Sequence, residues 1–530
     1  MSQSGNVEFR GWRAYLWPVH HYELKKLIPM LLIFFFINFD YNILRTMKDA
    51  LIITAESSGA EVIPFIKVWV MFPGSVLMTY IFIRLSNRFN RETVFYVMMG
   101  IFLTYFLVFT FVLYPARESL HATDLANHLQ TILPPGLKGF IAMIRYWSFT
   151  SFYVMSELWG NIILFLLFWG FANQVTRLHE AKRFYGLFGI GANFSGVAAG
   201  QASVYLCRHT FNPALPFGMD TWEQSMVMLV SLVILSGLIA VGIFRWMNQS
   251  ILTDPRYYEP TTTALGEEVK GKMSMRDNFR FLLKSKYLMC LAVIVLSYNL
   301  IINLVEVIWK HEVRELYPNP NDYNLYMSEI TTIIGVIATL AALLVSGNSI
   351  RKCGWTFTAM LTPFILLITS IGFFAFFFLK ENFSDVILTF FGATPLAIVV
   401  FFGSAQNCLS RAAKYTVFDA TKEMAFIPLS AESKLKGKAA IDGIGSRLGK
   451  SGGSVIHQGL LLTFSTITAS VPYVAGFLLA IIGVWMVAAR SLGRQFNKIT
   501  AGKMDPVRDQ PVFIEKPSHT DVTESPIQAT

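Results

Sequence analysis

The chain repeatedly contains apolar stretches that are long enough to cross a lipid bilayer. One helical crossing needs about 20 mainly apolar residues, because the hydrocarbon core is about 30 Å thick and an α-helix rises about 1.5 Å per residue. Of the 530 residues, 54% are hydrophobic and only 15% are charged, which excludes a disordered chain and disfavours a soluble enzyme. We therefore predict an all-α protein that crosses a membrane many times.

The apolar stretches number twelve, six in each half of the chain. The fourth stretch of each half is longer than one bilayer crossing, so each is either one long helix or a helical hairpin. The total is twelve crossings under the first reading and as many as fourteen under the second. The stretches lie at 27–47, 62–83, 93–114, 138–176, 184–206, 224–247, 286–309, 326–347, 355–379, 385–418, 438–465 and 468–490.

Lysine and arginine residues are distributed unevenly between the connecting loops. With the N-terminus in the cytoplasm, 30 basic residues fall on that side and seven on the other, as the positive-inside rule requires. An even number of crossings also returns the C-terminal tail to the cytoplasm, which favours twelve. We predict a cytoplasmic N-terminus (1–26), a six-helix bundle (27–247), a cytoplasmic linker (248–285), a second six-helix bundle (286–490) and a disordered cytoplasmic tail (491–530).

Short motifs recur at similar offsets in the two halves. Tyr41-Asn42 recurs as Tyr298-Asn299 at an offset of 257, and Gly189-Ile190-Gly191 recurs as Gly443-Ile444-Gly445 at an offset of 254. These offsets predict a duplication, and two six-helix bundles with a cytoplasmic linker are typical of transporters that bind substrate between the halves. Small residues predict close-packing faces on the fifth and eleventh helices, at Ala192, Gly196 and Gly200 and at Gly445, Gly449 and Gly453.

Charged side chains lie within the predicted spans, where each costs at least about 2.5–3.5 kcal/mol to insert. We expect them to face a polar cavity or one another, either as ligand-binding groups or as salt bridges between helices. If these groups bind a ligand, the excess of cations in both halves predicts a polyanionic substrate such as a phosphate compound. The cations are Arg45, Lys67, Arg145, Arg411, Lys414, Arg447 and Lys450, the acids are Asp40, Glu157 and Asp442, and Lys48 and Glu306 lie near helix ends.

The remaining polar and aromatic residues give weaker functional signals. Under the offset of 254, Asn193 corresponds to Arg447, so the two halves differ in charge. A nucleobase could stack on Tyr41, Tyr146, Trp147 or Tyr298, with hydrophobic packing as the alternative. The four cysteines lack metal-site spacing, and the net charge of +10 is explained by cytoplasmic loops rather than by nucleic-acid binding. We predict no cofactor, no metal site and no enzymatic activity.

Four segments of the predicted helices resemble a known family of membrane transporters. They are Asn42-Ile43-Leu44-Arg45-Thr46-Met47-Lys48-Asp49, Ser156-Glu157-Leu158-Trp159-Gly160, Val305-Glu306-Val307-Ile308-Trp309-Lys310, and Gly443 through Gly453. Together they are similar to the nucleotide transporters of obligate intracellular bacteria and plastids, ATP/ADP antiporters unrelated to the mitochondrial carriers. The resemblance covers nearly the whole chain. It implies that the family's functionally important charges, Lys, Glu, Glu and Lys, correspond to Lys48, Glu157, Glu306 and Lys450.

The resemblance implies a major-facilitator-like fold that exchanges external host ATP for internal ADP with phosphate by alternating access. We expect a monomeric, multi-pass protein of the bacterial inner membrane, surrounded by lipid and with both termini in the cytoplasm. Lys48, Arg447 and Lys450 are expected to bind phosphates, and Glu157 and Glu306 to act in coupling, in gating or in contacts with ribose and base. Secondary candidates are Arg45, Arg145, Arg411, Asn193 and Tyr146.

Two alternatives remain open from the sequence. A proton-coupled nucleoside-triphosphate symporter would have the same fold. A membrane enzyme that uses a nucleotide or lipid-phosphate donor would need a paired-carboxylate or metal motif, and the sequence offers none that is evident.

Overall fold

The computed structural model describes residues 19–257, 285–344, 346–380, 382, 388–390, 392–429, 437–438, 441 and 446–500. Most of the predicted linker, the tail from residue 501, Asp442 and the motif Gly443-Ile444-Gly445 lie outside the described residues. Within the described ranges the chain is helical and contains no β-strand. The all-α prediction is therefore confirmed for this part of the chain.

The first half of the chain forms helices of bilayer length, interrupted by three short helices. Successive long helices run in alternating directions. We call the face at which α1 begins the proximal face and the face at which α1 ends the distal face. The helices are α1 (Leu24–Ile53), α2 (Val62–Arg88), α3 (Arg91–Leu113), α4 (Arg117–Leu120), α5 (Thr123–Ile132), α6 (Lys138–Arg145), α7 (Trp147–Val175), α8 (Leu178–Cys207) and α9 (Thr221–Ser250).

The second half repeats this series of long helices. One of them, α12, is broken at Gly354, whose φ of 79° lies in the left-handed region that favours glycine. The helices are α10 (Lys286–Leu316), α11 (Pro320–Leu344), α12 (Ser346–Leu379), α13 (Pro395–Ala425), α14 (Ser446–Phe464) and α15 (Ile467–Thr500).

Ten helices in the described part of the chain are long and apolar enough to cross a membrane. The other two long helices, α8 and α14, have 30 and 19 residues but carry more polar side chains. Neither overlong stretch forms a hairpin within its described residues: residues 138–176 form α6, a break at Tyr146 (φ −102°, ψ 49°) and α7, and α13 begins only at Pro395. The described helices therefore support twelve crossings rather than fourteen.

The last helix is longer than the sequence predicts. Because α15 continues to Thr500, residues 491–500 are helical, and the prediction that a disordered tail begins at 491 is wrong. Packing explains the extension, since Leu492 is fully buried and the ring of Phe496 stacks on Trp355 of α12 with 5.1 Å between ring centroids.

The two halves share one pattern of helix packing. α1 packs against α8 and α9, and α10 packs against the corresponding α14 and α15. Asn42 of α1 and Asn299 of α10 each donate a side-chain hydrogen bond to the carbonyl four residues earlier. A Cβ atom on Gly449 of α14 would lie 2.6 Å from the Asn299 Cβ, so only glycine fits there. The predicted duplication and the close-packing face in the described part of α14 are both confirmed.

The halves meet along α8 and α11. A Cβ atom on Gly200 of α8 would collide with the Thr332 hydroxyl of α11, and one on Gly335 of α11 would lie 2.8 Å from the carbonyl oxygen of Asn193. Glycines at these positions let the two backbones approach closely, as small residues do in membrane helices. The contact joins the two bundles into one body.

Candidate functional site

A chain of ion pairs lies between the two halves. In the first half, the ammonium group of Lys48 (α1) lies 3.1 Å from a carboxylate oxygen of Glu157 (α7) and 2.9 Å from the carboxylate of its neighbour Asp49. The ammonium also lies 3.8 Å from the centre of the Tyr153 ring, which is a cation–π contact. Lys48 is thus held by three groups and is only 2% exposed.

Asp49 carries the chain of ion pairs into the second half. Its other oxygen accepts from Lys310 (α10) at 2.8 Å, and the Lys310 ammonium also lies 3.1 Å from Glu306, one turn earlier on α10. Glu306 lies 3.4 Å from Arg411 (α13) and 3.9 Å from Lys67 (α2). The term "ion-pair chain" denotes Glu157, Lys48, Asp49, Lys310, Glu306, Arg411 and Lys67.

Helix geometry explains why these charges meet. Glu306 and Lys310 are four residues apart and therefore share one face of α10. Lys48 and Asp49 are consecutive on α1 and point about 100° apart, so Lys48 reaches α7 while Asp49 reaches α10. Since leaving one buried charge without its partner costs about 3–5 kcal/mol, the ion-pair chain holds α1 against helices of both halves.

The ion-pair chain contains four residues that the sequence predicts as site residues: Lys48, Glu157, Glu306 and Arg411. The sequence reasoning missed Asp49 and Lys310, because both lie near the ends of predicted spans, where charges are common. The spacing of Glu306 and Lys310 is a signal that could have identified the second of them. Lys67 stands out in the sequence only as a charge inside a span.

Two further cations, Arg45 and Lys414, lie beside the ion-pair chain. Arg45 precedes Lys48 by one turn of α1 and lies within electrostatic range of Glu306, yet no carboxylate oxygen of a described residue is within 4.0 Å of it. Lys414 follows Arg411 by one turn of α13 and likewise has no ion pair with a described residue. Both are half-buried. Half-buried cations without a counter-ion are suited to an anionic ligand.

Arg145 and Tyr146 contact other groups. Arg145 donates to the side-chain oxygens of Asn127 and Gln130 at 2.8 and 3.2 Å, and the Tyr146 hydroxyl donates to the carbonyl of Glu56 at 2.6 Å. Both residues line a separate cavity of about 700 Å³ at the distal face. They lie at the helix break between α6 and α7, away from the ion-pair chain, and their roles as secondary site candidates stay a prediction.

The remaining candidates are placed as follows. Arg447 and Lys450 belong to the first turns of α14, but their side chains lie outside the described residues, so their role in phosphate binding stays a prediction. Asn193 lies where its carbonyl packs against Gly335, at the contact between the halves. In the described part of the chain, no group of three or more His, Cys, Asp or Glu residues could hold a metal ion.

Hydrogen bonds between the halves close the distal face near α2. Lys67 of α2 donates to the side-chain oxygen of Asn303 on α10 at 2.9 Å. Gln458 of α14 donates to the carbonyl of Pro64, at the distal end of α2, also at 2.9 Å. These bonds lie on the same side of the molecule as the ion-pair chain, since Lys48 and Lys310 both precede the distal ends of their helices by about one to two turns.

The distal end of α8 makes a second contact of this kind. The carbonyl of Cys207 accepts a hydrogen bond from Asn321 of α11 at 2.8 Å, and its thiol lies 3.2 Å from the side-chain nitrogen of Asn324. Cys207 is only 2% exposed. The structure therefore represents a state whose distal face is closed by direct contacts between the halves.

Two homologous helical bundles with a cationic site between them define a secondary transporter of the major-facilitator type. The sequence matches the family model "TLC ATP/ADP transporter" over residues 2–496, and the chain belongs to this family.

Similar proteins occur in bacteria and plants. The chain is 45% identical to ADP,ATP carrier protein 1 of Chlamydia pneumoniae over 511 residues, which cover 96% of this chain and 99% of that one. It is 41% identical to the chloroplastic ADP,ATP carrier protein 1 of Arabidopsis thaliana over 476 residues, which cover 90% and 74%.

Solved structures show the same fold at low sequence identity. A bacterial homologue of the iron transporter ferroportin in its inward-facing state has a TM-score of 0.55 at 13% identity, covering 89% of this chain and 98% of that one. A D-xylose–proton symporter has a TM-score of 0.51 at 14% identity, covering 89% and 97%. These similarities support the major-facilitator fold.

Proposed function

We propose that this protein exchanges ATP for ADP across a membrane by alternating access, and that the ion-pair chain closes its distal face. The observation that carries the proposal is the contact of Asp49 with Lys310 at 2.8 Å, which joins the halves between Lys48 and Glu306. Three of the four charged positions that the family resemblance marks, Lys48, Glu157 and Glu306, belong to the same ion-pair chain. The relatives named as ADP,ATP carriers support the choice of substrate.

The charge balance of the site suits a nucleotide. Together with Arg45 and Lys414, the ion-pair chain provides six cations against three carboxylates among the described residues. With the terminal phosphate ionised, ADP carries about three negative charges and ATP about four. The surplus positive charge is therefore of the size that either substrate needs.

The mechanism is a competition between phosphates and carboxylates for the same cations. Each charge-assisted hydrogen bond to a phosphate contributes about 1.5–3 kcal/mol. Phosphates on Lys48 and Arg411 replace Glu157 and Glu306, which loosens the ion-pair chain and lets the distal face open. In the empty protein the ion-pair chain stays intact and resists this opening. Only the loaded transporter then changes face, so uptake requires a counter-substrate.

The orientation follows from the distribution of basic residues. We place the proximal face in the bacterial cytoplasm and the protein in the inner membrane, because Lys and Arg are concentrated in the loops of that side. External ATP then enters through the distal face, and ADP leaves with phosphate. A single chain supplies both bundles and the site between them, which supports a monomeric transporter.

A proton-coupled symporter is the second candidate, and one observation favours it. Asp40 of α1 is fully buried; one carboxyl oxygen accepts from the Ser236 hydroxyl, and the other has no hydrogen-bond partner among the described residues. A carboxyl group inside a membrane helix with so little compensation is a candidate proton carrier.

Transport by the purified protein in liposomes tests the proposal. We expect labelled ATP to enter vesicles loaded with ADP, to remain chemically intact, and to be excluded from vesicles that contain only buffer. A protonophore should leave this exchange unchanged. If a proton gradient drives ATP uptake into buffer-filled vesicles, the protein is a symporter and not an exchanger. A chemically altered product would indicate an enzyme.

A further inference from the structure

Tyr415 is an exposed aromatic residue of the membrane-spanning helix α13. Its side chain is 51% exposed, and its hydroxyl makes no hydrogen bond with a described residue. In a helix of this kind, an exposed ring faces either the lipid or the space between the halves.

The neighbours of Tyr415 decide between these directions. Tyr415 belongs to α13 in the second half, yet it lies within electrostatic range of Tyr41 and Arg45, which belong to α1 in the first half. A ring that faced the lipid would be separated from α1 by the bundle itself. Tyr415 therefore faces the space between the halves, beside the unpaired cation Arg45.

The local helix geometry leaves one face of the ring open. Lys414–Phe418 form a π-helical turn within α13, a feature that often marks functional sites. The ammonium group of Lys414 lies 4.7 Å from the centre of the Tyr415 ring and covers one face of it. Because this ammonium covers only one face of the ring while about half of the side chain stays exposed, another flat group can stack on the opposite face. Tyr298, by contrast, is only 4% exposed and packs against Phe418.

The distance from Tyr415 to the phosphate-binding cations suits a nucleotide. Arg411 precedes Tyr415 by four residues, which corresponds to about 6 Å along the helix axis. A nucleotide whose phosphates contact Arg411 and Arg45 extends its ribose and base by a comparable length.

We propose that the open face of the Tyr415 ring is the surface on which the nucleobase stacks, an inference that rests on the proposed function. Because every base has a π-face, stacking tolerates different bases. Tyr415 thus distinguishes nucleotides from inorganic phosphates and does not select adenine over guanine.

Binding of ADP and of inorganic pyrophosphate to the purified protein, measured by calorimetry, tests this proposal. Tyr415→Ala should weaken ADP binding roughly 5- to 150-fold, the range expected for the loss of one stacked base, and leave pyrophosphate binding unchanged. GDP binding should weaken by the same factor. Tyr415→Phe keeps the ring and should bind ADP as the wild type does.

Tyr80 offers a matched control. It is 54% exposed on α2, and the guanidinium group of Arg84 lies 5.5 Å from the centre of its ring. It therefore shares the exposure and the cation–π contact of Tyr415. Its helix, however, is almost entirely exposed at the surface of the protein and faces outward. Tyr80→Ala should bind both ligands normally.

The binding results distinguish failure of the stacking role of Tyr415 from failure of the proposed exchange function. If the wild type binds ADP and Tyr415→Ala binds it equally well, the exchange function stands and the stacking role of Tyr415 is wrong. Equal weakening of ADP and pyrophosphate binding would also refute stacking, because it would show a general disturbance of the site. A wild-type protein that binds pyrophosphate but not ADP would overturn the proposed function itself.

Discussion

Cations one helical turn apart have opposite surroundings in this protein. On α1, Lys48 has two carboxylate partners, whereas Arg45 has none within ion-pair distance among the described residues. On α13, Arg411 reaches Glu306, whereas Lys414 reaches only the ring of Tyr415 among these contacts. Positive charge inside a span thus occurs in two forms: paired cations fasten helices to one another until a competing anion replaces their carboxylates, and unpaired cations are available to an anion at once.

The largest effect is expected from Asp49→Asn, which leaves Lys48 and Lys310 facing a neutral amide. Loss of one partner from a buried ion pair costs about 3–5 kcal/mol, so the variant should unfold at a clearly lower temperature and lose exchange. Thermal unfolding of the purified protein and ATP uptake measure the two effects. Adding Lys310→Gln to this variant should restore part of the stability.

An exposed ion pair provides the control for Asp49. Arg208 and Glu329 also join the halves, at 3.1 Å, but their side chains are 65% and 42% exposed. Glu329→Gln should change the unfolding free energy by less than about 1 kcal/mol. Equal stability losses at Asp49 and Glu329 would show that the buried position of the ion-pair chain is irrelevant.

Arg45→Gln should show the opposite profile, with weaker binding and normal stability. The loss of one charge-assisted hydrogen bond should raise the dissociation constants of ADP and pyrophosphate roughly 10- to 100-fold. The unfolding temperature should hardly change, because Arg45 has no ion pair to lose. A variant that is unstable but binds normally would place Arg45 among the structural cations.

Glu157→Gln tests the coupling between paired cations and obligatory exchange. The substitution removes one carboxylate from Lys48, so the distal face should open without substrate. We expect ATP uptake into buffer-filled vesicles to rise several-fold, towards the rate with ADP inside. Strict exchange with normal affinity would eliminate the proposed role of this carboxylate.

The native Cys207 can report the opening of the distal face. In a variant whose other cysteines, Cys290, Cys353 and Cys408, are replaced by serine, a membrane-impermeant maleimide should label Cys207 slowly in the absence of substrate. ADP should accelerate labelling several-fold, since loading releases the contact with Asn321. Unchanged labelling would indicate that substrate does not open this face.

His121, which lines the distal cavity together with Arg145, gives the smallest expected effect. Burial and the nearby Arg117 guanidinium lower the pKa of His121, so the folded state disfavours the charged imidazole. Its contribution to stability is present above the unfolded-state pKa of about 6.5 and declines as the pH falls below that value. The unfolding temperature should therefore fall slightly less with acidification in His121→Gln than in the wild type. If the unfolding temperatures of the variant and the wild type fall equally with acidification, His121 does not contribute to the pH dependence of stability.

Apolar length and motif repetition were sufficient to predict the helix count and the pairing of the halves, because both follow from bilayer thickness and from local sequence. The partners of each charge were not predictable in this way. Asp49 and Lys310 become one contact only when α1 and α10 are packed together. The sequence also did not predict that Arg145 and Tyr146 line a separate cavity, because a backbone break after α6 leaves no clear signature in an apolar, aromatic stretch.

Tyr415 shows a second limit of the sequence. The chain contains 20 tyrosines, and composition does not distinguish a ring that packs from a ring that lies open. Its ring lies in a π-helical turn of α13, which was not predicted from the sequence. Arg45 and Arg411, by contrast, could be selected from the sequence, because a charge within a span requires an explanation wherever it lies.

The polarity of α8 and α14 has a consequence for how the chain is built. The described parts of these helices lie outside the set of ten that are apolar enough to cross a membrane by themselves. During synthesis, neither can settle in lipid alone at low cost, because its polar groups would face hydrocarbon. We expect each to insert together with a more apolar neighbour, α9 or α15, rather than alone. Insertion of α8 and α14 should therefore limit the assembly of the transporter, and substitutions that make these helices more polar should reduce the amount of protein inserted before they affect transport.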